Sequence, residues 1–160
     1  MEGKMLRIGK LTDYATVILA TLAGDRARLQ NAGALAEQTH IAAPTVSKLL
    51  KQLQRAGLVK STRGTHGGYQ LARSADDISA AAILDALEGP IALTDCSVGT
   101  GHCCLEQSCK VGRTWQRLNV AIRKSLSEIS LAQLAGLDSR STAVPFEREL
   151  KQFTRAKVAP

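Results

Sequence analysis

Four cysteines fall within fourteen positions of a 160-residue chain: Cys96, Cys103, Cys104 and Cys109, separated by six, none and four residues. Structural thiols are ordinarily dispersed and buried, so a cluster in a polar stretch points to thiol chemistry. Three chemistries suit it. Iron-sulfur clusters take thiolate ligands, and Gly99 and Gly101 give the backbone freedom to wrap around one. A structural zinc is the second, although the paired C-x-x-C spacing of zinc ribbons is not present. The third is a disulfide switch in which Cys103 or Cys104 pairs with Cys96 or Cys109. Enzymatic use of these groups is not expected. The histidines, at 40, 66 and 102, have neither metal-site nor triad spacing, and no phosphate-cradling glycine loop follows a strand-like run.

The elements that must carry this cluster are helical. Hydrophobic residues make up 44% of the chain but aromatics only 3%, so the core is built from Leu, Ile, Val and Ala, as in close-packed helices. The length fits one domain plus appendages. The longest apolar stretch, Tyr14 to Gly24, is interrupted by Thr16 and Thr21 and is shorter than the ~20 residues that cross a bilayer. Lys4, Arg7 and Lys10 before it imitate a secretory signal, but Asp13 and the helical spacing of Leu11, Ala15, Ile18, Leu19 and Leu22 suit a packed helix better. The expected location is cytoplasmic, where thiols stay reduced.

Charge is unevenly distributed. Residues 1–75 hold eleven bases against four acids, whereas residues 76–160 hold ten of each, so the whole net charge of +7 sits in the first half. A basic half joined to a neutral one implies a polyanion-binding module. Scarce aromatics disfavour base stacking on single strands and leave duplex DNA as the expected partner.

Periodicity in that half specifies how DNA would be met. Leu11 to Ala23 reads as a helix, Asn31 caps a short helix from Ala32 to Gln38, and Pro44 opens a third that Gly57 ends. Within the third, Val46, Leu49, Leu50 and Leu53 form the apolar face and turn Thr45, Ser47, Lys48, Lys51, Gln52 and Arg55 outward. Two helices across a tight turn make a helix-turn-helix. Two strand-like runs, Leu58 to Arg63 and Tyr69 to Arg73, flank Gly64-Thr65-His66-Gly67-Gly68 and form a wing. Thr45, Ser47, Lys48 and Lys51 are the candidates for the major groove, with Thr45 and Ser47 for sequence choice, and Arg63 and His66 for the backbone or minor groove.

Beyond the wing, Ala80 to Glu88 reads as a short helix stopped by Gly89-Pro90. A longer helix begins near Gly112 with Trp115, Leu118, Ile122, Leu126 and Ile129 as a near-heptad stripe. Such a stripe packs on its own domain or on a second copy, and two half-sites in DNA call for two reading heads. The expected fold is mainly α with a small β-hairpin wing: a winged helix-turn-helix plus a long dimerisation helix. Its parts are the DNA-binding domain (1–90), the cysteine-rich stretch (91–111), the dimerisation helix region (112–135) and a partly disordered tail (136–160).

These features together resemble a known family from about Met5 to Leu134. Its marks are Leu11-Thr12-Asp13-Tyr14-Ala15, Gly57-Leu58-Val59, Arg63-Gly64-x-x-Gly67-Gly68-Tyr69 and Cys96-x6-Cys103-x5-Cys109-x5-Trp115. The chain resembles the dimeric bacterial winged-helix regulators that include the iron-sulfur regulator IscR and the nitric-oxide sensor NsrR. Leu93 to Ser97 and Trp115 to Asn119 look most like the branch that regulates SUF-type iron-sulfur assembly genes. The resemblance implies a homodimer on palindromic duplex DNA that senses iron-sulfur, redox or nitric-oxide status through a cluster, most often 2Fe-2S. Cys96, Cys103 and Cys109 would be its ligands, and Cys104 an extra thiol. IscR-type members have a His three residues after the last cysteine, where this chain has Gly112. The fourth ligand is therefore Asp13, Cys104, His102, Glu106 or a small molecule. NsrR-type members use an Asp at the position of Asp13, which makes Asp13, reaching across from a partner subunit, the expected one. Members that hold no cluster still bind DNA, so a zinc- or thiol-based regulator is the alternative.

Overall fold

The computed structural model describes residues 8–25, 27–90, 92 and 111–137. The expectations for Cys96, Cys103, Cys104 and Cys109, and for the tail beyond Leu137, concern residues outside that set.

The chain runs α1 (Lys10–Gly24), α2 (Ala32–Thr39), α3 (Ala43–Arg55), β1 (Val59–Thr62), β2 (Gly68–Leu71), a 3-10 turn (Ala75–Asp77), α4 (Ala80–Leu87), α5 (Gly112–Glu128) and α6 (Leu131–Leu134). This is the expected winged helix-turn-helix followed by a long helix. Local chemistry sets the boundaries. Asn31 accepts the Ala34 N–H at 2.8 Å and caps α2, which satisfies one of the free amides of a helix start. Pro44 lies in the first turn of α3, where its missing N–H costs nothing. At the other end Gly57 takes φ +70°, and the Leu58 N–H reaches the Leu53 carbonyl at 3.0 Å. That left-handed glycine closes a Schellman motif and keeps Leu58 out of the wing strand, so β1 starts one residue later than the sequence suggests.

Among the described residues, one core is shared by the helices and the wing. Ile18, Leu19 and Leu22 of α1 meet Leu35 of α2, Val46, Leu49, Leu50 and Leu53 of α3, and Leu58, Ile78 and Ile83, all essentially inaccessible. Truncating any of these leucines to Ala is expected to cost about 2–5 kcal/mol.

The chain after α5 returns to this core, which its sequence does not announce. The Ala80 N–H donates to the Ile129 carbonyl at 2.8 Å and the Leu131 N–H to the Ile78 carbonyl at 2.7 Å. Ile129 is thereby drawn into extended backbone, and α5 stops at Glu128. Ser130 then opens α6 with a capping box to Gln133, and Leu131 and Ala132 enter the core beside α1. Higher up, Arg123 clamps Asp85 with two hydrogen bonds of 2.9 and 2.6 Å, tying α5 to α4.

Candidate nucleic-acid interface

The turn between α2 and α3 sets the angle at which α3 is presented. His40 adopts left-handed backbone, φ +55°, and Ile41 tucks into the core behind it. With Val46, Leu49, Leu50 and Leu53 buried, the opposite face of α3 is left to solvent. There Ser47, Lys48, Lys51, Gln52 and Arg55, with Pro44, line a shallow hollow of about 320 Å³. Lys48 and Lys51 are exposed and Ser47 is half-buried. Thr45 is half-buried in the first turn, outside the set that lines the hollow.

The wing is braced from two sides. Gln54 of α3 donates its side-chain N–H to Ser61 of β1 at 2.9 Å. Tyr69 of β2 exchanges two backbone hydrogen bonds with Gln30, at 3.0 and 2.8 Å, so the segment before α2 adds a third, single-residue rung to the β1–β2 pair. Glycine suits both positions before Tyr69: a Cβ on Gly68 would sit tightly, 3.0 Å from the Gln30 backbone, and one on Gly67 would collide with the Thr62 carbonyl oxygen inside the hairpin. Arg63 and His66 both stand exposed on the turn between the strands. Arg63 also borders a cleft of about 410 Å³ with Asn31, Ser61 and Thr62.

Asp13 lies elsewhere. Exposed in the first turn of α1, it lines a groove of about 960 Å³ whose apolar wall includes Ile83 and Leu84 of α4, Leu126 and Ile129 at the end of α5, and Leu134. The same stripe continues up α5, where Trp115 and Leu118 are 42% and 44% exposed. The face of α5 turned toward its own body is a different one, marked by buried Gly112 and Asn119 and by the Arg123–Asp85 clamp. Ile122 and Leu126, between the two faces, are half-buried.

A family profile described as iron-dependent transcriptional regulator, Rrf2, matches residues 8–136. The chain belongs to the Rrf2 family. Among Rrf2-type relatives, the transcriptional regulator NsrR of Oceanobacillus iheyensis is 31% identical over 132 residues, which is 81% of this chain and 89% of that one. A regulator of Haemophilus influenzae is 36% identical over 100 residues, and the matched stretch spans 66% of its length. In structure, CymR, the global cysteine regulator of B. subtilis, superposes with a TM-score of 0.65 at 29% identity, covering 84% of this chain and all of that one. IscR of T. potens gives 0.61 at 26% identity over 89% of this chain and 96% of its own. The Rrf2 chain is therefore a transcriptional regulator, a role that entails DNA binding, and no described helix is long and apolar enough to cross a membrane.

The structure brings Ser47, Lys48 and Lys51 together on one face and Arg63 with His66 on one turn, and sets Asp13 in a separate groove. Three positioning contacts went unseen in the sequence: Gln30 with Tyr69, Gln54 with Ser61, and Glu88 with Thr12. Only the glycine pair before Tyr69 hinted at the first, since adjacent glycines mark a close backbone approach.

Proposed function

We propose that this Rrf2 regulator acts as a two-fold dimer on palindromic duplex DNA and that an iron-sulfur cluster tunes its affinity. The observation that carries the DNA part is the outer face of α3, where Ser47, Lys48, Lys51 and Arg55 surround one hollow while the apolar residues of the helix are buried. Thr45, Ser47, Lys48 and Lys51 meet the major groove, and Arg63 and His66 meet the backbone or minor groove. The dimer is supported by the apolar stripe of α5, in which Trp115, Leu118 and Ile129 are exposed to solvent. Asp13 shares its groove with Leu126 and Ile129, the lower end of that stripe, so a second copy that covers the stripe also meets Asp13.

Cys96, Cys103, Cys109 and Asp13 make a donor set that fits a cluster, most often 2Fe-2S: three thiolates suit iron, and Asp13 offers an exposed carboxylate. An oxygen donor holds iron less tightly than a thiolate and leaves one corner exchangeable. When bound, the cluster supplies a group whose oxidation state or loss reports on redox, nitric oxide or iron-sulfur supply. The controlled genes are, by resemblance, those of iron-sulfur assembly. The similarity to a global cysteine regulator favours a second reading, a thiol-disulfide or zinc regulator without a cluster.

Two measurements decide. Replacing Lys48 and Lys51 by Ala should weaken DNA binding and lower the salt slope by about 0.9 per lost phosphate contact; unchanged affinity at low salt would reject the interface. Protein purified without oxygen should absorb visible light, lose that absorption on Cys96→Ala, Cys103→Ala or Cys109→Ala, and keep it on Cys104→Ala. Asp13→Ala should shift the spectrum and shorten the cluster's lifetime in air. Colourless protein that gains a disulfide under oxidation would establish the second reading.

A further inference from the structure

Two buried side-chain oxygens among the described residues have no hydrogen-bond partner, those of Gln30 and Gln52. Gln30 lies behind the wing with its backbone paired to Tyr69, whereas Gln52 lines the hollow on the outer face of α3. It stands four residues after Lys48 and seven after Thr45, so the three share one side of the helix. Its neighbours in the hollow are cations, a hydroxyl and a proline; Gln52 is the amide among them.

An amide offers one acceptor beside two donors. A desolvated carbonyl oxygen with no donor is unfavourable, so this side chain is held unsatisfied until its long, unbranched stem rotates outward to a partner. The major-groove edge of adenine presents a donor next to an acceptor and takes both halves of a glutamine amide at once, while the lysines and arginine are matched to phosphates or guanine. We propose that Gln52 is a specificity-determining residue that reads the adenine of one A·T pair in each half-site. This rests on α3 being the DNA-reading helix and adds which base it selects.

The test begins with selection of preferred duplexes from a random library by the full-length protein, followed by fluorescence anisotropy on the selected site and on every single base-pair replacement. In the parent protein, changing the adenine read by Gln52 should weaken binding by about 5- to 150-fold. Gln52→Ala should erase that preference while the preferences at the other positions persist and, because the amide carries no charge, the salt slope stays the same. Gln52→Glu, which can only accept, should shift the preferred base toward cytosine, a change that a structural role would not produce and that reports even where the alanine variant folds poorly. Retention of every preference by both variants, or equal weakening on all duplexes, would overturn the assignment of Gln52 while leaving α3 as the reading helix. Selection of no sequence by the parent protein would overturn it too, and failure to bind any duplex would overturn the DNA interface itself.

Discussion

The Thr12 hydroxyl donates to Glu88 Oε1 at 2.6 Å, and the Gly9 N–H donates to the same oxygen at 2.7 Å. One carboxylate at the end of α4 thus caps the start of α1, where Gly9 itself has no side chain to do so. A Cβ on Gly9 would lie 2.7 Å from that oxygen, so the glycine makes room for the carboxylate. The Thr12 hydrogen bond first, and the Gly9 amide second, hold the Glu88 carboxyl below the ordinary carboxylate value.

The sign of the pH effect follows. A carboxylate with a depressed folded-state pKa stabilises the protein above its unfolded value and loses that contribution as pH falls through the folded value. Glu88→Ala should therefore lower the thermal midpoint at neutral pH and converge with the parent protein in acid. Exposure and solvent screening keep the neutral-pH difference to about 1 kcal/mol or less. A gap that persists unchanged at acid pH would show that the carboxylate charge is not what stabilises the α1 start.

His40 closes α2 in left-handed backbone, a conformation that strains a residue with a Cβ and suits glycine or asparagine. His40→Gly should relieve more than the added chain entropy removes, for a net gain of about 0.5 kcal/mol. Denaturant titration measures it. A loss of stability would mean that the imidazole makes contacts worth more than the strain.

A methyl group on Gly68 would press on the Gln30 backbone at 3.0 Å, so the rung must give by a few tenths of an ångström to admit it. Gly68→Ala should part the wing from the Gln30 rung, weakening DNA binding severalfold while helical circular dichroism stays constant. The salt slope should drop by about 0.9 if Arg63 gives up a phosphate contact. Full affinity in this variant would remove the wing from the interface.

Much of this was legible in sequence because each signal was local. Asn31, Pro44 and Gly57 announce helix ends through chemistry within a few residues, and the four apolar residues of α3 fix its outward face by spacing alone. Contacts distant in sequence left no such trace. Nothing near Glu88 points to Thr12, and the four-residue α6 is too short for periodicity to reveal that Leu131 completes the core of α1. The stripe of α5 was ambiguous for a physical reason. It runs along a boundary, with Ile122 and Leu126 half-buried against the body while Trp115 and Leu118 face solvent, so periodicity could not say which partner it serves.

That boundary yields the sharpest test of the proposed dimer. Val120 is 66% exposed, yet it lies two residues from both Leu118 and Ile122, and at 100° per residue it points to nearly the opposite side of α5. If a second copy covers the stripe, Leu118→Asp buries a charge in the seam and Val120→Asp leaves it in water. Desolvating an unpaired charge at an interface centre costs about 2 kcal/mol or more, roughly a thirtyfold loss of affinity. Because two-fold symmetry places each substitution in the seam twice, the dimer should suffer it doubly. Sedimentation velocity across a concentration series should find Leu118→Asp monomeric at concentrations where the parent and Val120→Asp remain dimers. Circular dichroism checks that the monomer is still folded. Dimers in all three proteins would move the seam off this face of α5, and monomers in both variants would show that α5 responds to added charge rather than to its position.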